Sequence, residues 1–306
     1  MPSVIITGGT GLVGTALSRL LTLQGFSVII LSRDPARHKS QSSSVRYAAW
    51  NIRDQTINEE AISEAKYIIH LAGAGVADKR WTDKRKKEIQ ESRIKSSELL
   101  IKALAQISNK VEAVVSASAI GWYAESAVVQ RVETDPPDPG FLGETCRLWE
   151  QHIQPVTAMG KRLVILRSGI ALSNDGGAFP EFKRPVRFGI ASILGNGRQI
   201  ISWIHLDDLC RLYLEAMINP QWSGIYNAVA PQPVTNKAFM IELGNRMKKT
   251  FYISLPVPGF VLRLLLGEKS TEILKSSNVS CEKIKKQGFQ FIYPTLDAAF
   301  RDLLRR

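Results

Sequence analysis

Apolar residues in this chain fall into short unbroken runs, each leading through small or polar residues into a stretch where apolar side chains recur every three or four positions. Val4-Ile5-Ile6 is the first run; glycines follow, and Leu12, Val13, Ala16, Leu17, Leu20 and Leu21 then repeat with helical spacing. Residues 27–31, 66–71, 111–115 and 161–167 read as further buried strands, 45–50 as a shorter one, and 224–229 as a strand returning to the same sheet. Between them lie predicted helices: a short one over 57–65, one with Ile89, Leu99, Leu100, Ala103 and Leu104 on its apolar side, one through Trp149 and Ile153, and one begun by Asp207-Asp208, an acidic pair expected to cap it. Strands apolar on both faces, alternating with helices, predict an α/β fold built on a doubly wound parallel sheet.

After Asn174-Asp175-Gly176-Gly177 the alternation breaks down. Residues 179–188 mix aromatics with Lys183, Arg184 and Arg187, and Pro180 and Pro185 are expected to limit continuous helix there. We therefore assign 1–175 and 198–230 to a nucleotide-binding domain, and 176–197 and 231–306 to a smaller C-terminal α/β substrate domain. The apolar run at 260–266 is too short to span a membrane. It could pack in the small domain, cover a substrate pocket or form the face of a homodimer.

The first strand and helix frame the chain's most informative stretch, Gly8-Gly9-Thr10-Gly11-Leu12-Val13-Gly14. Glycines between a strand and a helix serve three ends: a sharp turn, backbone approach to a diphosphate, and close packing of helix on strand. The helix start then offers unpaired N–H groups to the phosphates. At the end of the second strand stand Ser32 and Arg33, where NAD sites carry a carboxylate for the ribose and NADP sites carry a phosphate-binding residue. An arginine fork matches a 2′-phosphate, so the expected cofactor is NADP(H), with Lys39 a candidate second cation.

Leu71, Ala72 and Gly73 end another strand in small residues that let a cofactor lie close to backbone, while His70 before them reads as a packed strand residue. Ser116 and Ser118 close the 111–115 strand, followed by Tyr123; hydroxyls there can polarise a substrate carbonyl or cap the local backbone.

The charge adds one question. Among 306 residues, 40 are Lys or Arg and 28 Asp or Glu, a formal charge of +12, densest at Lys79-Arg80-Trp81-Thr82-Asp83-Lys84-Arg85-Lys86-Lys87. The aromatic and basic residues there are not interleaved as in a nucleic-acid module, so the block reads as a solvated helix face or a lure for an anionic cofactor. Cys146, Cys210 and Cys281 are odd in number and far apart, which suggests neither a disulfide framework nor a metal site and fits a reducing cytoplasm. The expected partner is a small-molecule substrate, with neither nucleic acid nor membrane.

Together the glycine turn, Ser32-Arg33, His70-Leu71-Ala72-Gly73 and Ser116-Ala117-Ser118 resemble the extended short-chain dehydrogenase/reductases, and within them the atypical nucleoside-diphosphate-sugar epimerase-like branch. Residues 141–150, Leu166-Arg167-Ser168-Gly169-Ile170, 202–209 and 226–231 extend the resemblance over nearly the whole chain. It implies a Rossmann-like NADP(H)-binding domain, a small domain closing over substrate, and cofactor contacts from Glu88, Arg93, Ser116 and Ile170. It also implies a serine that holds the substrate oxygen, matched by Ser118, and a tyrosine with a lysine four residues later. Those last two are absent, because Leu142 and Cys146 stand at the matching places, with Phe141 and Thr145 one residue earlier. Tyr123 is the candidate substitute phenol, with Glu144 or Cys146 as other acids or bases. Two functions follow: an oxidoreductase or epimerase-like enzyme, or a non-catalytic NADP(H) sensor.

Overall fold

The computed structural model describes residues 1–38, 42–248 and 251–305. Lys39 lies outside them. The chain opens with β1 (Ser3–Thr7), α1 (Leu12–Leu23), β2 (Ser27–Ser32), β3 (Val45–Asn51), β4 (Thr56–Ile57), α2 (Glu59–Glu64), β5 (Ala65–His70), α3 (Asp83–Gln106) and β6 (Ala113–Ala119). It continues through β7 (Ser126–Arg131), α4 (Phe141–Ile153), β8 (Arg162–Ser168), β9 (Ile170–Leu172), α5 (Phe179–Arg187), β10 (Ile190–Leu194), β11 (Ile200–Ile201), β12 (Trp203–His205), α6 (Leu206–Ile218) and β13 (Gly224–Ala228). The last part holds β14 (Val234–Thr235), α7 (Asn236–Met247), β15 (Ile253–Val257), α8 (Gly259–Leu266), α9 (Lys269–Leu274), β16 (Ser277–Val279), α10 (Glu282–Lys286) and α11 (Leu296–Leu303).

Eight strands form one sheet in the order β13-β8-β6-β5-β1-β2-β3-β4, parallel except for β4. The chain winds outward from β1 through β2 and β3, then crosses back to lay β5, β6, β8 and β13 on the other side. The reversal between β1 and β5 opens a crevice at the strands' carboxyl ends, where open α/β sheets bind ligands. Alternation along the strands divides the core. Val4, Ile6, Ile30 and Ile69 pack with Leu17 and Leu21 of α1 and Leu209 and Leu212 of α6. Ile5, Ile29, Ile68 and Val114 pack with Ile62 of α2 and Leu99, Leu100 and Ala103 of α3. This is the Rossmann-like doubly wound architecture.

A separate core gathers Phe179, Trp203, Phe239 and Phe300 from α5, β12, α7 and α11. Two local expectations change. Pro185 lies inside α5, near its end where few backbone bonds are lost, and Pro180 sits at its permissive start. The cap of α6 is not an aspartate: the Asp207 N–H donates to His205 Nδ1 at 3.1 Å. Asp208 is fully buried and accepts from the Ile292 and Tyr293 N–H groups at 2.9 and 2.8 Å, tying the C-terminal segment to α6.

Candidate functional site

At the β1/β5 reversal, Gly8 adopts φ +68°, in the left-handed region that favours glycine. A Cβ on Gly14 would lie 2.5 Å from Gly8 O and Gly9 Cα, so only glycine lets the first turn of α1 sit on the loop. On Gly9 it would lie 2.7 Å from an Ile30 methyl. Gly11 is different, for its nearest neighbour would be Gly8 O at 3.4 Å. Thr10 is exposed, and Leu12 and Val13 are half-buried at the helix start. Gly11 caps α1 with no side-chain hydrogen bond, and the first turn carries no acid, which leaves that helix start suited to an anion.

Across the crevice the Thr7 hydroxyl accepts the Leu71 and Ala72 N–H groups at 3.0 and 3.1 Å, holding the Leu71–Gly73 strand exit beside Gly8. Its proton then goes to His70 Nδ1 at 2.8 Å. Ser96 and Ser97 both donate to Arg93 O, so their oxygens face His70 Nε2, which carries the ring proton. Burial lowers the His70 pKa to about 3. The ring is a neutral strut.

Arg93 lies across Gly73, where a Cβ would meet its guanidinium carbon at 3.0 Å. Its Nη1 donates to Ala74 O and Ile89 O, its face covers Trp149 at 4.8 Å, and burial lowers its pKa to about 10, still cationic near neutrality. Glu88 points elsewhere, onto Arg85 Nη1 at 2.7 Å; Arg85 itself is buried, so part of the basic block is structural rather than solvated. At the end of β2, Arg33 is exposed with no ion-pair partner among the described residues, while Asp34 is held by Arg37 at 2.7 Å. Ser32 Oγ accepts the Asp34 N–H.

The end of β6 is wired to its neighbours. Ser118 Oγ donates to Glu150 Oε1 at 2.6 Å, and Arg167 grips the same carboxylate with Nε and Nη2, each at 2.8 Å. Arg167 Nη1 donates to the Tyr123 hydroxyl at 2.9 Å, and that hydroxyl donates to Asn227 Oδ1 at 2.6 Å. The Arg167 guanidinium also lies 3.6 Å from the Trp122 ring centre. Ser118, Tyr123, Glu150, Arg167 and Asn227 are all buried. Burial pushes the Tyr123 phenol up to about 12 against the pull of Arg167, so it is protonated near neutrality. Ser116 is buried with its hydroxyl on Ala117 O, and Ile170 opens β9 where Gly169 passes Ser202.

A family model for NAD dependent epimerases and dehydratases matches residues 4–148, and one described as a domain of unknown function matches 257–303. The epimerase family protein of Staphylococcus haemolyticus is 34% identical over 307 residues, with 99% of each chain covered. The chain belongs to the epimerase family. The human epimerase family protein SDR39U1, solved with NADPH, is 26% identical to this epimerase-family chain, with a TM-score of 0.86 over 99% of each. A nucleoside-diphosphate sugar epimerase from Corynebacterium glutamicum is 30% identical with a TM-score of 0.78, over 99% of this chain and 58% of that one.

In this epimerase-family chain, Leu142 and Cys146 do face the end of β6: a Cβ on Gly121 would lie 3.2 Å from Leu142 Cβ and 3.9 Å from Cys146 Sγ. Burial pushes the Cys146 thiol up to about 11, and Glu144 is engaged by two Arg147 nitrogens at 2.7 Å. The residues that sequence reasoning passed over are Glu150, Arg167 and Asn227. One signal was available: Arg167 ends a run of four apolar strand residues, and a buried charge requires a partner.

Proposed function

We propose that this chain binds NADP(H) along the carboxyl edge of its parallel sheet and exchanges hydride with a carbonyl or sugar-nucleotide substrate. The observation that carries the binding half is the Gly8–Gly14 turn, closed to any Cβ at Gly9 and Gly14, beneath an uncapped helix start. Such a cradle fits a diphosphate. Gly8, Gly9, Thr10, Gly11, Leu12, Val13 and Gly14 would hold the diphosphate and its flanks. Ser32 and Arg33, which has no ion-pair partner among the described residues, would take the 2′-phosphate, with Asp34 kept off by Arg37. Leu71, Ala72, Gly73, Ser116 and Ile170 line the route toward the β6 end. Arg93 adds positive potential, and Glu88, turned onto Arg85, is the weakest member of the set.

The nicotinamide, when bound, supplies or accepts the hydride. Ser118 would meet the substrate oxygen in either form: with its own proton engaged by Glu150 its lone pairs accept from a substrate hydroxyl, and toward a carbonyl its O–H must turn from Glu150 to the carbonyl oxygen, which takes its proton from solvent as hydride arrives. Tyr123 acts behind it, since hydrogen bonds join the two only through Glu150 and Arg167. A protonated phenol whose proton is held by Asn227 suits orientation of the network rather than proton transfer to substrate.

One observation favours the second reading, an NADP(H)-binding sensor without turnover: Leu142 and Cys146 occupy the wall where a tyrosine and lysine would serve proton transfer. Stopped-flow absorbance with NADPH and a panel of carbonyl and sugar-nucleotide substrates separates the two. Substrate-dependent oxidation that is lost in Ser118→Ala, with cofactor affinity retained, supports the enzyme. Tight NADPH binding with no oxidation across the panel supports the sensor.

A further inference from the structure

The small domain leaves an apolar surface bare. On α8, Leu262 is buried, while Phe260, Leu264 and Leu265 are 71%, 76% and 68% exposed, and Phe251, Ile253 and Leu255 just before it are exposed as well. From 251 to 267 the only charged residue is Arg263. Protruding apolar side chains in such number mark a contact surface rather than scattered exposure.

What borders this surface identifies its partner. α8 ends at Gly267, where a Cβ would lie 2.9 Å from Arg80 Nε, so the apolar helix abuts the start of the basic block that leads into α3. Lys86 pairs with Glu268 at 3.0 Å and Lys269 donates to Ala77 O at 2.8 Å, fixing the two together. Lys79, Arg80 and Lys84 are exposed, and none is within ion-pair distance of a carboxylate among the described residues. The edge thus combines exposed hydrocarbon with cations whose nearest acids are already engaged by Arg85 and Lys86.

We propose that this face docks on an anionic lipid bilayer, with Phe260, Leu264 and Leu265 entering the headgroup boundary and Lys79, Arg80, Lys84 and Arg263 meeting lipid phosphates and carboxylates. Apolar side chains that project outward, combined with cations that have no ion-pair partner among the described residues, suit an interface of hydrocarbon beneath negative charge. A second copy of the chain is disfavoured, because a two-fold contact through α8 would bring Arg263 and the basic rim of one copy toward those of the other. The sequence pointed to no membrane partner, on the ground that its apolar run is too short to span one, and no described helix is long and apolar enough to cross one. Lying on a surface is a separate matter.

The test is co-sedimentation of the full chain with vesicles of phosphatidylcholine, with and without phosphatidylserine. Partition onto the phosphatidylserine vesicles should be tighter by on the order of tenfold to a hundredfold, and should weaken as salt rises. Leu264→Glu with Leu265→Glu should abolish binding to both vesicles. Lys79→Ala, Arg80→Ala and Lys84→Ala together should remove most of the phosphatidylserine dependence, leaving Arg263, and should spare binding to phosphatidylcholine. All five side chains are exposed, so unchanged thermal unfolding serves as the folding check. Equal partition onto both vesicles, or unimpaired binding by the Leu264/Leu265 variant, overturns the proposal. So does a wild-type dimer that the same variant converts to monomer, since a second copy would then cover the face.

Discussion

Arg167 and Glu150 form a two-point ion pair sealed from solvent, Nε to Oε1 and Nη2 to Oε2 each at 2.8 Å, and the carboxylate also takes the Ser118 proton. A pair so placed carries a large penalty if halved, because the remaining charge is left in a dry interior. Arg167→Ala should destabilise the protein by about 3–5 kcal/mol. Arg167→Met combined with Glu150→Leu should recover much of that loss in urea unfolding. A double variant as unstable as the single one would show that shape rather than charge pairing governs the site.

Removing the phenol oxygen tests the other end of the network. Tyr123→Phe leaves Asn227 Oδ1 and one Arg167 N–H without a partner, which should cost about 1–3 kcal/mol. If Tyr123 acts behind Ser118, turnover should fall while the Kd for NADPH holds. A loss confined to NADPH affinity would move Tyr123 into the cofactor wall.

The glycines are not equivalent, and the difference is measurable. Gly14→Ala places a methyl 2.5 Å from backbone and should abolish NADPH binding while destabilising the fold by roughly 1–3 kcal/mol. Gly11→Ala, whose methyl would meet Gly8 O at an ordinary contact distance of 3.4 Å, should retain most of both. Indistinguishable variants would mean that the turn is shaped by something other than close packing.

Acid should weaken the fold through His70. It is neutral in the folded protein down to about pH 3, but protonates near its ordinary 6.5 once unfolded. The unfolded state therefore holds the extra proton between those values, so this contribution is fully present above 6.5 and declines as pH falls toward about 3. Urea unfolding of wild type should show a steeper loss below neutrality than His70→Gln. Parallel pH profiles would remove His70 from the account.

Much of this was legible because its signals are local. Apolar runs announced the parallel strands, and glycines between strand and helix marked the tight turn onto α1. Arg33 at a strand end needed only the order of elements. The Glu150–Arg167 pair was not legible in that way: a helix glutamate and a strand arginine meet only after α4 packs over the β6 and β8 ends. His205 as the cap of α6 was hidden by two following aspartates that fit the usual role better. Pro185 inside α5 shows the same limit, since its cost depends on where the helix ends.

On the proposed reading Arg33 selects the nicotinamide cofactor, so the most direct measurement is calorimetric titration of wild type and Arg33→Ala with NADPH and with NADH. The account predicts that wild type binds NADPH more tightly, and that Arg33→Ala weakens NADPH by roughly tenfold to a hundredfold while leaving NADH nearly unchanged. Equal losses for both cofactors would contradict the phosphate role of Arg33, and no saturable binding of either would contradict the site itself.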